Sequence, residues 1–116
     1  MIIIPLEERN FTRTEIFDIN LVLDENTVYE IAILNIYPAD KLKNGIGRLT
    51  CNIINPSVTN PRQIIGRFSR SNSRANPEYY IIDTFNLRSI SLTLTGIEPT
   101  RLAITLAIRK LNAKTK

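Results

Sequence analysis

From Arg88 to Leu111 the chain reads "RSISLTLTGIEPTRLAITLAIRKL", and this stretch constrains the fold more than any other. Ile90, Leu92 and Leu94 alternate with Ser89, Ser91, Thr93 and Thr95. Leu102, Ile104, Leu106 and Ile108 alternate with Ala103, Thr105, Ala107 and Arg109. Side chains leave a strand alternately to its two faces, so a period of two puts each apolar set on one buried face. A helix would need apolar residues at three- and four-residue intervals, and Ser and Thr in the alternate positions favour strand. Gly96 and Pro99 supply turn chemistry between the two runs, which predicts an antiparallel hairpin.

A similar pair lies nearer the start. "IFDINLVL" has Phe17, Ile19, Leu21 and Leu23 on one parity, "DENT" turns the chain, and "VYEIAILNIY" returns. In that second run Tyr29, Ile31 and Ile33 oppose Val28, Ala32, Leu34 and Ile36, so both faces are apolar, as in a strand near the middle of two packed layers. Pro38 stops it. "GRLTCNIIN", "PRQIIGRF" and "YYIIDTF" give shorter candidates, punctuated by Gly45, Gly47, Pro56, Pro61 and Pro77. Residues 38–44 have room for one helical turn, and no stretch reads as a longer helix. About seven to eight strands with turns every ten or so residues predict an antiparallel β-sandwich or barrel. Residues 1–111 then make one domain and 112–116 a frayed tail.

Composition narrows the function by exclusion. Apolar residues are 43% and charged residues 22%, ordinary globular usage. The apolar run Met1–Ile4 is far too short for a bilayer span, and "MIIIPLEERN" lacks the form of a secretory signal. Cys51 is the one cysteine, so no intrachain disulfide can form, and a reducing cytoplasm is the expected place of synthesis. There is no histidine, which removes the usual general base and the commonest metal ligand. Cys51 sits on an alternating apolar run and reads as a buried, inert thiol. The carboxylates of "LEE" and "LDEN" read as solvent-facing turn residues. Asp24, Glu25 and Asn26 lack the ligand count and spacing of a calcium loop. "NGIGRL" matches no phosphate-binding fingerprint. The expectation is a non-enzyme with no catalytic residues, metal, cofactor or small-molecule substrate, and no membrane partner.

Charge is segregated along the chain although the net is only +4. Residues 1–40 carry eight acids and two arginines. Residues 41–77 carry seven basic residues and no acid, and the remainder carries six basic residues and three acids. Such a bipolar chain either neutralises itself on folding or pairs one end with the other end of a copy. Within the basic part, "RFSRSNSRANPEYY" sets Arg67, Arg70 and Arg74 among small polar residues, with Phe68, Tyr79 and Tyr80 close by. Spaced guanidinium groups neutralise phosphates and aromatic rings stack bases, so a nucleic-acid site is one reading. A solvated inter-strand loop is the other. The three arginines keep no single strand parity, and runs of charge are usually solvated faces, which favours the loop.

Three segments carry a family resemblance. "FDINLVLDENTVYEIAILNIYP", "LTCNIINPS" and "NLRSISLTLTGIEPTRLAITLAIRKL" resemble, in order, the opening, a middle strand and the closing strands of single jelly-roll minor capsid proteins. These penton- or vertex-type proteins belong to double-stranded DNA viruses and virus-like transposons. The matching pieces lie between residues 17 and 111, Tyr29 stands where that family suggests tryptophan, and residues 56–86 have no counterpart. The resemblance implies a jelly-roll sandwich of two four-stranded sheets and a structural role in a virion shell. It also implies a homo-oligomer in contact with other capsid proteins, made in a host cytoplasm. Interface candidates are Glu7, Glu8 and Glu15 on the acidic side and Arg67, Arg70, Arg74, Tyr79 and Tyr80 on the basic side. The alternative is a small nucleic-acid-binding β-barrel using the basic segment 41–77 with Arg67, Phe68, Arg70, Arg74, Tyr79 and Tyr80.

Overall fold

A computed structural model describes residues 1–38, 46–69, 77–82 and 86–111. The suggested helical turn at 38–44 (but for Pro38), Arg70, Arg74 and the tail at 112–116 lie outside the described residues. The expected all-β sandwich is present. Nine strands form two antiparallel sheets: β1 (Ile2–Pro5), β2 (Arg9–Phe11), β3 (Thr14–Val22), β4 (Tyr29–Pro38), β5 (Ile46–Cys51), β6 (Ile64–Ser69), β7 (Tyr80–Ile82), β8 (Asn86–Thr95) and β9 (Thr100–Lys110). Sheet A has the order β1-β9-β4-β7, with β2 also on β9, and sheet B has the order β3-β8-β5-β6. Beyond β7 an isolated bridge joins Ile54 to Ile82 and the Asn55 amide donates to the Ile81 carbonyl, and the two sheets pack face to face as a sandwich.

The pairings nest. β1 and β2 pair with β9, β3 with β8, β4 with β7 and β5 with β6, as if one long hairpin had been wound into two layers. Ladders between β4 and β9 and between β5 and β8 close each sheet. One consequence corrects two expected hairpins. β8 and β9 lie in different sheets, and so do β3 and β4, so both "GIEP" and "DENT" carry the chain from one layer to the other. Period-two alternation records that a face is buried, and it is silent on whether the next strand lies alongside or across the core.

The two alternating sets still meet. Ile90, Leu92 and Leu94 from sheet B and Leu102, Ile104, Leu106 and Ile108 from sheet A are all buried in one core. β4 reaches that core on both parities because a bulge between Ile33 and Asn35 shifts its register on β9. Ile31 and Ile33 oppose Ile108 and Leu106, and past the bulge Ile36 opposes Ile104. Ile36 therefore shares the inner face with Ile31, which a strict alternation assigns to the outer one. A second irregularity lies between Asp18 and Leu21 of β3, where Asn20 has φ 54°, a conformation asparagine tolerates better than most residues.

Two glycines are required by close approach. Gly96, at φ 90°, lies where an added Cβ would be 2.4 Å from the Ile46 carbonyl oxygen, so the "GIEP" crossing needs its missing side chain. Gly47 is not a turn residue. It is buried within β5, opposite Phe68, and an added Cβ would sit 2.5 Å from that ring. The ring covers the gap that the glycine leaves in the sheet. Gly47→Ala should destabilise the fold by about 1–3 kcal/mol through this overlap. Phe68→Leu should cost less in the Gly47→Ala background than in the wild type, as measured by a urea double-mutant cycle. Additive effects would contradict the contact.

Candidate functional site

The acidic side folds onto its own arginines. Arg9, on β2, reaches Glu7 at 3.2 Å and Glu15 at 3.7 Å, and its guanidinium lies 4.1 Å from the centre of the Phe17 ring. Arg101 on β9 pairs with Glu8. Arg109, also on β9, donates to Glu30 at 2.8 Å, directly across the β4–β9 ladder. Glu30 is a buried carboxylate, so this pair is held in place more firmly than the exposed ones. Glu7, Glu8 and Glu15 are thus engaged inside the chain, and their partners come from the first and last thirds instead of the basic middle.

Between β1 and β3 the sheets part in an open groove of about 460 Å3, floored by Ile4, Leu6, Ile19 and Leu21 and bordered by Glu7, Arg9 and Asp18.

The described members of the aromatic–arginine strip, Arg67, Phe68, Tyr79 and Tyr80, do not share one surface. Tyr79 stacks under the Arg109 guanidinium at 3.5 Å, which joins it to the Glu30 pair on the outside of sheet A. Tyr80 takes the opposite parity, opposes Ile31 on β4 and packs against the core. Desolvation pushes its phenol above the ordinary value, the Glu78 carboxylate adds to that, and Arg67 opposes it. Phe68 is a core residue, 3% exposed, so it offers no ring to a base; the stacking role assigned to it is corrected here. Arg67, the strip's one described arginine, is exposed on β6.

Arg48, which composition alone did not single out, stands directly opposite Arg67 on β5. Both are exposed, and beside them runs the hydroxyl edge of β8. Thr95 opposes Arg48, Thr93 opposes Thr50, and the Thr93 hydroxyl meets that of Thr14 at 2.8 Å. The alternation of β8 already implied this hydroxyl row. The Arg48–Arg67 neighbourhood depends on the β5–β6 register, which no local pattern reveals.

Little else is chemically poised. Among the described residues no three His, Cys, Asp or Glu side chains gather as metal ligands, and no helix is long and apolar enough to cross a membrane. In the "DENT" turn the Asn26 amide and the Thr27 hydroxyl donate to the Asp24 carboxylate, holding its pKa below the ordinary value. That is turn chemistry. Cys51 is 1% exposed, and burial pushes its thiol up to about 11.

Native Cys51 should therefore stay unlabelled by an aromatic disulfide reagent near pH 8 and react only as the chain unfolds. Because its folded pKa is raised, the matching stability is present below the ordinary value of 9.0 and is lost as pH climbs through about 11. Rapid stoichiometric labelling of the native protein would contradict this placement.

No protein-family model matches the chain, and comparison with curated proteins and with solved structures returned no match.

Proposed function

We propose that this chain is a non-enzymatic structural subunit of a virion shell, a minor capsid or vertex protein that works by self-association and contact with other shell proteins. The observation that carries the proposal is the nested strand order, β1-β9-β4-β7 against β3-β8-β5-β6. We read this order as a single jelly roll, the double-sheet fold found in viral capsid domains among others. The order agrees with the resemblance in the opening, middle and closing strands. Because fold alone does not dictate task, the surface must also suit assembly.

The outside of sheet A is suited to it. Ala32 and Ala107, opposed in register, are 0% exposed there, so the accessible surface comes from the larger side chains around them. Ile3 opposes Ala107 on one flank, Tyr37 opposes Ala103 toward one end, and Ile81 opposes Glu30 on the far flank. These three large side chains are 50%, 64% and 44% exposed, which makes this an apolar face with its charges already paired. Burying such side chains contributes roughly 1.5–3 kcal/mol each, enough for a few of them to hold a subunit contact. Glu7, Glu8 and Glu15 each have an arginine partner within the chain, so the apolar side chains are the stronger candidates for holding a neighbour.

Light scattering of the purified chain at moderate salt should show a defined oligomer. Changing Ile3, Tyr37 and Ile81 together to glutamate should give a folded monomer with an unchanged β-type circular-dichroism spectrum. A wild-type chain that stays monomeric at every concentration would overturn the assembly reading.

A further inference from the structure

The segregated charge of the sequence resolves unevenly in three dimensions. Arg9, Arg101 and Arg109, all on sheet A, each have a carboxylate within reach. Among the described residues, the arginines on the strands of sheet B have none: Arg48 on β5, Arg67 on β6 and Arg88 on β8. Two of them are placed where repulsion is strongest. Arg48 and Arg67 are direct cross-strand partners, with Cα atoms about 4.5–5.5 Å apart by ladder geometry, and like charges so placed destabilise a sheet. Beside them Thr50, Thr93, Ser91 and Thr95 set hydroxyls on the same outer face, alternating with the buried Leu49, Leu92 and Leu94.

We infer that the outer face of sheet B binds the phosphate backbone of nucleic acid, without reading its sequence. Paired guanidinium groups and adjacent hydroxyls are the side chains that contact phosphate oxygens. A duplex presents one negative charge for about every 1.7 Å of its axis, dense enough to serve two arginines on neighbouring strands at once. The carboxylates another copy would offer, Asp18, Glu78 and Glu98 among them, are scattered along its chain, whereas a duplex offers a continuous row of charge. Bases are not the target. Phe68 is buried, Tyr79 is stacked on Arg109, and the β-strand residues described on this face include no exposed aromatic ring. Backbone contact therefore carries the binding, and duplex should bind at least as well as single strand. This surface lies on the opposite side of the sandwich from the apolar face of sheet A, and the inference does not depend on assembly.

The test is fluorescence anisotropy with a labelled duplex of arbitrary sequence, about twenty base pairs long, titrated at several salt concentrations. Wild-type affinity should fall linearly on a log–log plot against salt. Arg48→Ala/Arg67→Ala should weaken binding by about tenfold or more and make the slope shallower by about two, one for each lost phosphate contact. Arg101→Gln, on the other sheet, should leave both unchanged. The double variant should melt no lower than wild type, since its removal of like charges relieves repulsion. Equal affinity and slope for wild type and the double variant would overturn the inference. So would displacement of the duplex by polyglutamate at equal charge concentration, which would assign the face to an acidic protein. Sizing the same double variant keeps the two proposals apart, because its oligomeric state should match wild type.

Discussion

Leu92 in sheet B and Leu106 in sheet A are both 0% exposed, and the rest of the molecule depends on the shared interior that buries them. Neither sheet can hide its apolar face alone. β8 and β9 are central strands that supply four core residues each, and they adjoin in sequence across only "GIEP". The short connection must therefore cross the full thickness of the sandwich, which is about 10 Å for stacked sheets. Gly96 makes the crossing by packing its backbone against the Ile46 carbonyl, where any side chain would collide. Once β8 and β9 sit in opposite layers, their neighbours must come from elsewhere in the chain. β9 takes β1, β2 and β4, while β8 takes β3 and β5. The nested pairing is thus the outcome of one crossing repeated at "DENT".

The same arrangement sorts the charge. Arginines brought onto β2 and β9 meet the early carboxylates and are neutralised, which leaves sheet A with an apolar outside. The acid-free middle of the chain supplies β5 and β6, and the carboxylates that β3 brings to the same sheet, Glu15 and Asp18, lie beyond β8 from them. On β5, β6 and β8 the outer face carries hydroxyls, the exposed Ile46 and arginines with no carboxylate partner among the described residues. The two outer faces thus differ in charge, and the two proposed roles divide along that difference, self-association on sheet A and phosphate contact on sheet B.

Much of this was legible in the residues. The strands β3, β8 and β9 follow from alternation, β4 follows from a long run apolar on both faces, and Cys51 is recognisable as buried from its parity with Leu49. β1 and β2 escaped notice because "IIIP" and "RNF" are too short to establish a period, and both gain strand geometry only by pairing with β9. Ile36 was placed on the wrong face because a bulge costs one residue of register and leaves no mark in composition. The aromatic strip misled for a similar reason. Adjacent residues in a strand point apart, so Tyr79 and Tyr80 serve opposite sides of sheet A, and Phe68 fills the space beside Gly47. Arg48 falls within the basic segment 41–77, but its pairing with Arg67 is not legible locally because the two lie nineteen positions apart.

The nested pairing can be tested directly by nuclear Overhauser contacts between backbone protons of the assigned chain. The account predicts contacts linking Ile31 with Ile108 and Ile2 with Ile108, and none linking Leu94 with Leu102. A ladder of contacts running outward from Gly96 between residues 86–95 and 100–110 would mean that β8 and β9 form a simple hairpin. That result would contradict the two-layer winding and, with it, the jelly-roll reading of function.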